Sequence, residues 1–312
     1  MGIQRLKTGA CWALAIAFLC YGVLGCGRRN PSTITVYASQ DQVYAEPLLR
    51  QFTERTGIPV QAIYDSEAVK TVGLANRLLA ERPRPLADVY WSNDELRTRQ
   101  LAAEGVFRQT NGWASFGQRS RIWVVQAQWL AQARAVPSLI EITNSSWRGK
   151  VALASPLFGS TATHFCVLRQ RWGDKAWKQW CDALSHNEPL IVEGNSMVVR
   201  MVARGQALIG LTDSDDVAAS QREGSAVRSL SLGLEGWRMP NTVAVIRGSD
   251  RGPQAQHLME YLLSREVELS LQHVAALEAR TGEEPSLSEV SWDRLLRELP
   301  ETTDYLRAVF LN

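Results

Sequence analysis

Hydrophobic and polar positions alternate in two rhythms along this chain. Ile34-Thr-Val-Tyr-Ala38 alternates with period two and predicts a strand. Ala45, Leu48, Leu49 and Phe52 then recur at helical spacing, with Pro47 in the first turn and Gly57 beyond the end. The alternation repeats. Val60–Tyr64 reads as a strand, and Ala68, Val69, Val72, Ala75, Leu78 and Leu79 mark a second helix. Ala87–Trp91 is a third strand, and Ser92-Asn93-Asp94 caps a third helix that ends before Gly105. Further strands are expected at Arg121–Gln126, Lys150–Ala154, Ile191–Glu193, Ala207–Leu211 and Thr242–Arg247. Helices are expected near 160–172, 174–185, 196–204 and 254–276, with more after Pro285. This β-α order predicts an α/β fold of mainly parallel sheets flanked by helices. With no repeat or long linker in the chain, two lobes would have to share short crossing segments, which is hinge architecture.

Polar residues gather where those strands end. Ser39-Gln40-Asp41, Asp65-Ser66-Glu67, Ser92-Asn93-Asp94, Gly159-Ser160-Thr161, Glu193-Gly194-Asn195 and Asp213-Ser214-Asp215-Asp216 all sit at predicted carboxyl ends, the ligand-binding edge of a parallel α/β sheet. The last group stands out. One carboxylate at a helix start is ordinary capping and a second suits the helix dipole, but a third repels its neighbours and calls for a cation. A solvated acidic turn is the plainer reading of the same residues. Gly159-Ser160-Thr161 opens a helix with small residues, leaving backbone N–H groups to face an anion or simply to be capped.

Other chemistry is narrowed by spacing. Asp213-x-Asp215 starts like a calcium loop, but Ala218 stands where glycine is needed and Gly224 where glutamate is. Leu211-Thr-Asp213-Ser-Asp215-Asp-Val217 is similar to the first motif of haloacid-dehalogenase-type phosphatases, with Asp213 as nucleophile and Asp215 as general acid/base. That family also needs a downstream lysine, and the chain has none after Lys178. His164, His186, His257 and His273 show no metal-ligand spacing. Trp172, Trp177 and Trp180 read as core, and so does Trp91, although its position at a strand end would also let it wall a pocket.

The amino terminus adds a location. Arg5 and Lys7 precede an apolar run, Cys11–Leu24, that is short for a bilayer span and reads as a secretory signal. Val23-Leu-Gly-Cys26 resembles the lipobox of bacterial lipoproteins, in which Cys26 is lipidated and a polar tether, residues 26–32, follows. The remainder suffices for two domains, and the whole chain, at 45% hydrophobic, 21% charged and net +2, is globular, with no basic stripe for nucleic acid. Cys166 and Cys181 lie at similar distances from the turn at Trp172-Gly173. An antiparallel helix pair would bring them level, predicting a disulfide.

Ile34-Thr-Val-Tyr37, Phe52–Val60, Leu86–Trp91, Leu101–Gly105, Trp147–Val151, Pro240–Val245 and His257–Glu266 occur in an order that resembles the bacterial extracellular solute-binding proteins of ABC transporters, specifically their ferric-iron-binding branch. The resemblance implies a two-lobed, type II periplasmic fold with a hinge between the lobes. Residues 1–25 are then the signal, 33–120 with 239–270 the first lobe, and 121–238 with 271–312 the second. It implies a metal or cationic ligand at Asp41, Asn93, Asp215 and Asp216, and an anion facing Ser160, Thr161, Asn195 and Asp213. The family's histidine, glutamate and two adjacent tyrosines are not at these positions. An oxygen-rich carboxylate set suits a hard cation, or an organic solute such as a polyamine or aminophosphonate. The expected protein is no enzyme and has no cofactor beyond a possible bound iron or similar cation. It is a lipid-anchored monomer of the cell envelope that hands its ligand to an inner-membrane permease.

Overall fold

The computed structural model describes residues 33–64, 72–110, 112–132, 135–279 and 290–311. Asp65-Ser66-Glu67, Cys26 and the whole signal segment lie outside them. Nine strands are present among the described residues: β1 (Ile34–Ala38), β2 (Val60–Tyr64), β3 (Val89–Ser92), β4 (Trp113–Gln126), β5 (Val151–Ala154), β6 (Leu190–Val192), β7 (Ile209–Asp213), β8 (Val227–Ser231) and β9 (Arg238–Val245). They run in the order β2-β1-β3-β9-β4-β7-β5-β6, with β8 also paired to β4.

Pairing is parallel for β1 with β2 and β3, and for β5 with β6 and β7, as the alternating pattern requires. In the middle it is antiparallel, because β4 and β9 run against their neighbours. The 14-residue β4 carries the architecture. Its first part, Trp113–Ser120, pairs with β9, and its second, Arg121–Gln126, pairs with β7 and β8. Two apolar cores follow from this division. Ile34, Val36, Phe52, Trp91 and Val243 build one, and Trp123, Leu153, Phe165, Trp177 and Leu211 the other. A further cluster joins them through Leu96, Val167, Trp237, Met239, Leu295 and Leu299. The carboxyl-terminal helix, Trp292–Phe310, contributes Leu295 and Leu299 to it.

Several local expectations are revised. Helix 254–276 is two helices, Gly252–Leu262 and Arg265–His273, because the Ser264 hydroxyl accepts from the Val267 N–H and starts a new one. β8 carries no alternating signal in the sequence, since Arg228, Ser229 and Ser231 are exposed or polar along it. Trp91, by contrast, is fully buried in the first core, as its sequence reading has it. The disulfide is absent. Cys166 faces the joining cluster while Cys181 faces the second core, so the two helices turn their thiols to different neighbours. Burial pushes the Cys166 thiol up to about 12 and the Cys181 thiol higher than its ordinary value as well.

Within β4 the register slips between Phe116 and Arg119. Gly117 makes this possible at φ +55°, with the Leu277 Cδ1 atom 2.3 Å from where a Cβ would stand. A bulge of this kind re-aims the side chains that follow it. Gly117→Ala should lower stability by about 1–3 kcal/mol through overpacking and left-handed strain, readable as a fall in urea midpoint at unchanged slope.

Candidate functional site

The carboxyl ends of β1, β3, β5, β6 and β7 converge on one cavity of about 50 Å³. Asp41 and Asn93 line it from the first half of the sheet; Ser160, Thr161, Asn195, Asp213, Asp215 and Asp216 line it from the second. All eight residues singled out in the sequence thus face one another. Arg119, delivered by β4 just past its bulge, lines the same cavity.

Asp213 ends β7 and stands where the cap of helix Ser214–Arg222 belongs, yet its side chain makes no capping bond. It is held by arginines instead. The Arg121 Nη1 donates to Asp213 Oδ1 at 2.6 Å, and Arg119 Nη1 lies 3.6 Å from Oδ2. Asn195 Nδ2 donates to that Oδ2 at 3.1 Å and to the Ser160 hydroxyl at 2.9 Å, while its Oδ1 accepts from Arg121 at 2.9 Å. Burial alone would raise the Asp213 carboxyl, but the two guanidiniums outweigh it and hold the group below the usual carboxylate range. Ser160, Asn195 and Asp213 therefore form one hydrogen-bonded unit with the Nη1 of Arg121.

Asp215 is placed differently. Its Oδ2 accepts from Arg119 Nη1 at 2.9 Å, and its Oδ1 is buried without a partner. Burial, then the charges of Asp213 and Asp41, push this carboxyl up against the pull of Arg119. Arg119 Nη2 donates to the Asn93 carbonyl at 2.8 Å, and the Asn93 amide N–H donates to the Ser39 hydroxyl at 3.1 Å. Carboxylate oxygens of Asp213, Asp215 and Asp216 come within 4.8 Å of one another, and this is the one such group of potential metal ligands among the described residues.

The repulsion expected among the three acids is thus countered in part by the chain itself. Arg119 and Arg121 were not singled out in the sequence. Their signal was a glycine inside a strand pattern followed by arginines two residues apart, which places both on one face of β4. On the anion side, helix Gly159–Trp172 begins after Phe158 with no side-chain cap. The Thr161 hydroxyl, 1% exposed, has no partner. His164 contributes no charge: burial, then the positive Arg121, lower its imidazole to about 3 while Nε2 sits 2.7 Å from the Glu235 carbonyl.

Residues 33–272 fit the model of the bacterial extracellular solute-binding proteins. The chain belongs to that family. This solute-binding protein is 26% identical over 194 residues to the Fe(3+)-binding periplasmic protein of Serratia marcescens, covering 57% of the chain and 56% of that relative. It is 23% identical over 270 residues to the major ferric iron-binding protein of Neisseria meningitidis, covering 78% and 79%. Among solved structures it resembles iron-bound HitA from Pseudomonas aeruginosa at a TM-score of 0.77 and 19% identity, over 89% of the chain and 99% of HitA. The periplasmic binding protein AfuA from Actinobacillus pleuropneumoniae, with fructose-6-phosphate bound, matches at 0.75 and 15% over 89% and 98%. The solute-binding protein therefore has the α/β fold of the two-lobed periplasmic binding proteins.

Proposed function

We propose that this protein is the cargo-binding component of an ABC importer that captures a hard metal cation, with an accompanying anion, between two lobes. The observation that carries the reading is the buried, unpartnered Oδ1 of Asp215 in a cavity that Asp41 and Asp216 also line. A cavity of about 50 Å³ suits an ion and its small partners, against the roughly 300–1,000 Å³ that organic ligands fill. That size argues against a polyamine or aminophosphonate in this cavity. Asp41, Asp215 and Asp216, with Asn93, would hold the cation. The helix start at Gly159–Thr161 would face the anion. The relatives' iron-binding names point the same way.

In this reading the lobes are 33–120 with 239–277, rather than ending at 270, and 121–238 with the carboxyl-terminal helix. The chain crosses between them in β4 near Ser120 and again at Arg238. The last crossing is placed after Leu277, since Leu271, Ala276 and Leu277 pack in the first core. No enzymatic role is assigned. The Asp213 carboxylate is paired with Arg121 and hydrogen-bonded by Asn195, which weakens it as a nucleophile, and the chain has no lysine after Lys178 to serve the phosphatase reading. The proposal extends to a protein anchored by a lipidated Cys26, monomeric, and docking on a permease in the inner membrane. Native mass spectrometry with elemental analysis, on protein purified without chelator, tests the cargo. A stoichiometric metal is expected, and a purely organic adduct would overturn the reading.

A further inference from the structure

Arg119 reaches across the cleft. Its side chain is 4% exposed, and its two Nη atoms hold groups on opposite sides. Nη1 holds the Asp215 carboxylate at the start of helix Ser214–Arg222, and Nη2 holds the Asn93 carbonyl just past β3. The guanidinium thus occupies part of the space between acids that a bound cation would share. Two of the four aspartates lining the cavity, Asp213 and Asp215, are matched by Arg121 and Arg119.

We propose that Arg119 is a resident counter-cation of the cleft, which keeps the empty protein closed and limits the positive charge of the cargo it accepts. The inference rests on the cation reading for its second half only. Closure of the empty cleft needs just the Asp215–Arg119–Asn93 bridge, which replaces carboxylate repulsion by a charge-assisted link between the halves. For cargo the effect is opposite. An incoming ion must share Asp215 with a guanidinium that repels it, and the repulsion grows with the ion's charge. A dication is thus favoured over a trication unless the trication brings its own anion.

Calcium(II) and terbium(III) are both hard and similar in size, so they isolate charge. Arg119→Gln should raise the ratio of terbium to calcium affinity by about tenfold or more, measured by isothermal titration without added anions. Small-angle scattering should show the empty variant with a larger radius of gyration than the empty wild type. Arg119→Lys keeps the charge but not the fork, so it should leave the ratio unchanged while still expanding the empty protein. An unchanged radius in both variants overturns the bridge. An unchanged ratio in Arg119→Gln overturns the charge limit. If wild type binds neither ion, the cation reading falls together with the charge limit, and the scattering arm still decides closure. Should Arg119→Gln not fold, Arg119→Lys carries the decision: a compact empty state, or an altered ratio, sinks the proposal.

Discussion

Asp213→Ala is expected to cost about 3–5 kcal/mol, the largest effect of any single change at the cleft. The Arg121 side chain, fully buried, would lose its 2.6 Å partner and leave an uncompensated charge in the interior. Removing one member of a buried pair is far worse than never having the pair. For a protein of this size the melting temperature should fall by roughly 10 °C, read by calorimetry on ligand-free protein. The pH dependence follows from the lowered folded pKa of Asp213. A carboxyl depressed on folding stabilises fully above its unfolded value, about 3.9, and the contribution is lost as pH falls through the folded value. The gap between wild type and Asp213→Asn should therefore stay constant from pH 5 to 8 and shrink only below about pH 4. A gap that widens on acidification would contradict the assignment of Asp213 as the ionised partner.

Asp216→Asn combined with Asp41→Asn should abolish cation-induced stabilisation. Each removes a half-buried carboxylate from the cavity, and the loss of the two charged contacts, together about 2–5 kcal/mol, weakens binding at least about 30-fold. The empty double variant should be as stable as wild type or slightly more so, because like charges are removed from a closed cleft. Asp215→Asn should differ, since it also takes the 2.9 Å partner from Arg119 and so lowers stability without ligand. Thermal melts of wild type and the two variants, with and without a panel of metal cations, separate binding from folding. Equal destabilisation of the empty double variant and Asp215→Asn would mean that Asp41 and Asp216 are structural.

The division between what was legible and what was not follows the range of the interactions. Period-two runs such as Ile34–Ala38 and Val60–Tyr64 and the helical stripe Ala45–Phe52 are local, and they form as the pattern dictates. The carboxyl-end rule then places Asp41, Asn93, Ser160, Thr161, Asn195 and the acidic group in one cleft without any knowledge of register. Charge balance is not local. Arg119 and Arg121 reach residues more than ninety positions away, and only the bulge at Gly117 decides where they point. The thiols failed for a related reason. Equal spacing from a turn fixes height along two helices but not the face each side chain takes, and Cys166 and Cys181 take different ones.

The separate burial of those two cysteines has a bearing on how the protein is made. Neither thiol is bonded, and burial keeps both protonated well above neutral pH, so the folded body asks nothing of the thiol-oxidising machinery outside the cytoplasm. A chain made without residues 1–25 should reach the same native state in a reducing cytosol as in an oxidising envelope, and reductant should leave that state untouched.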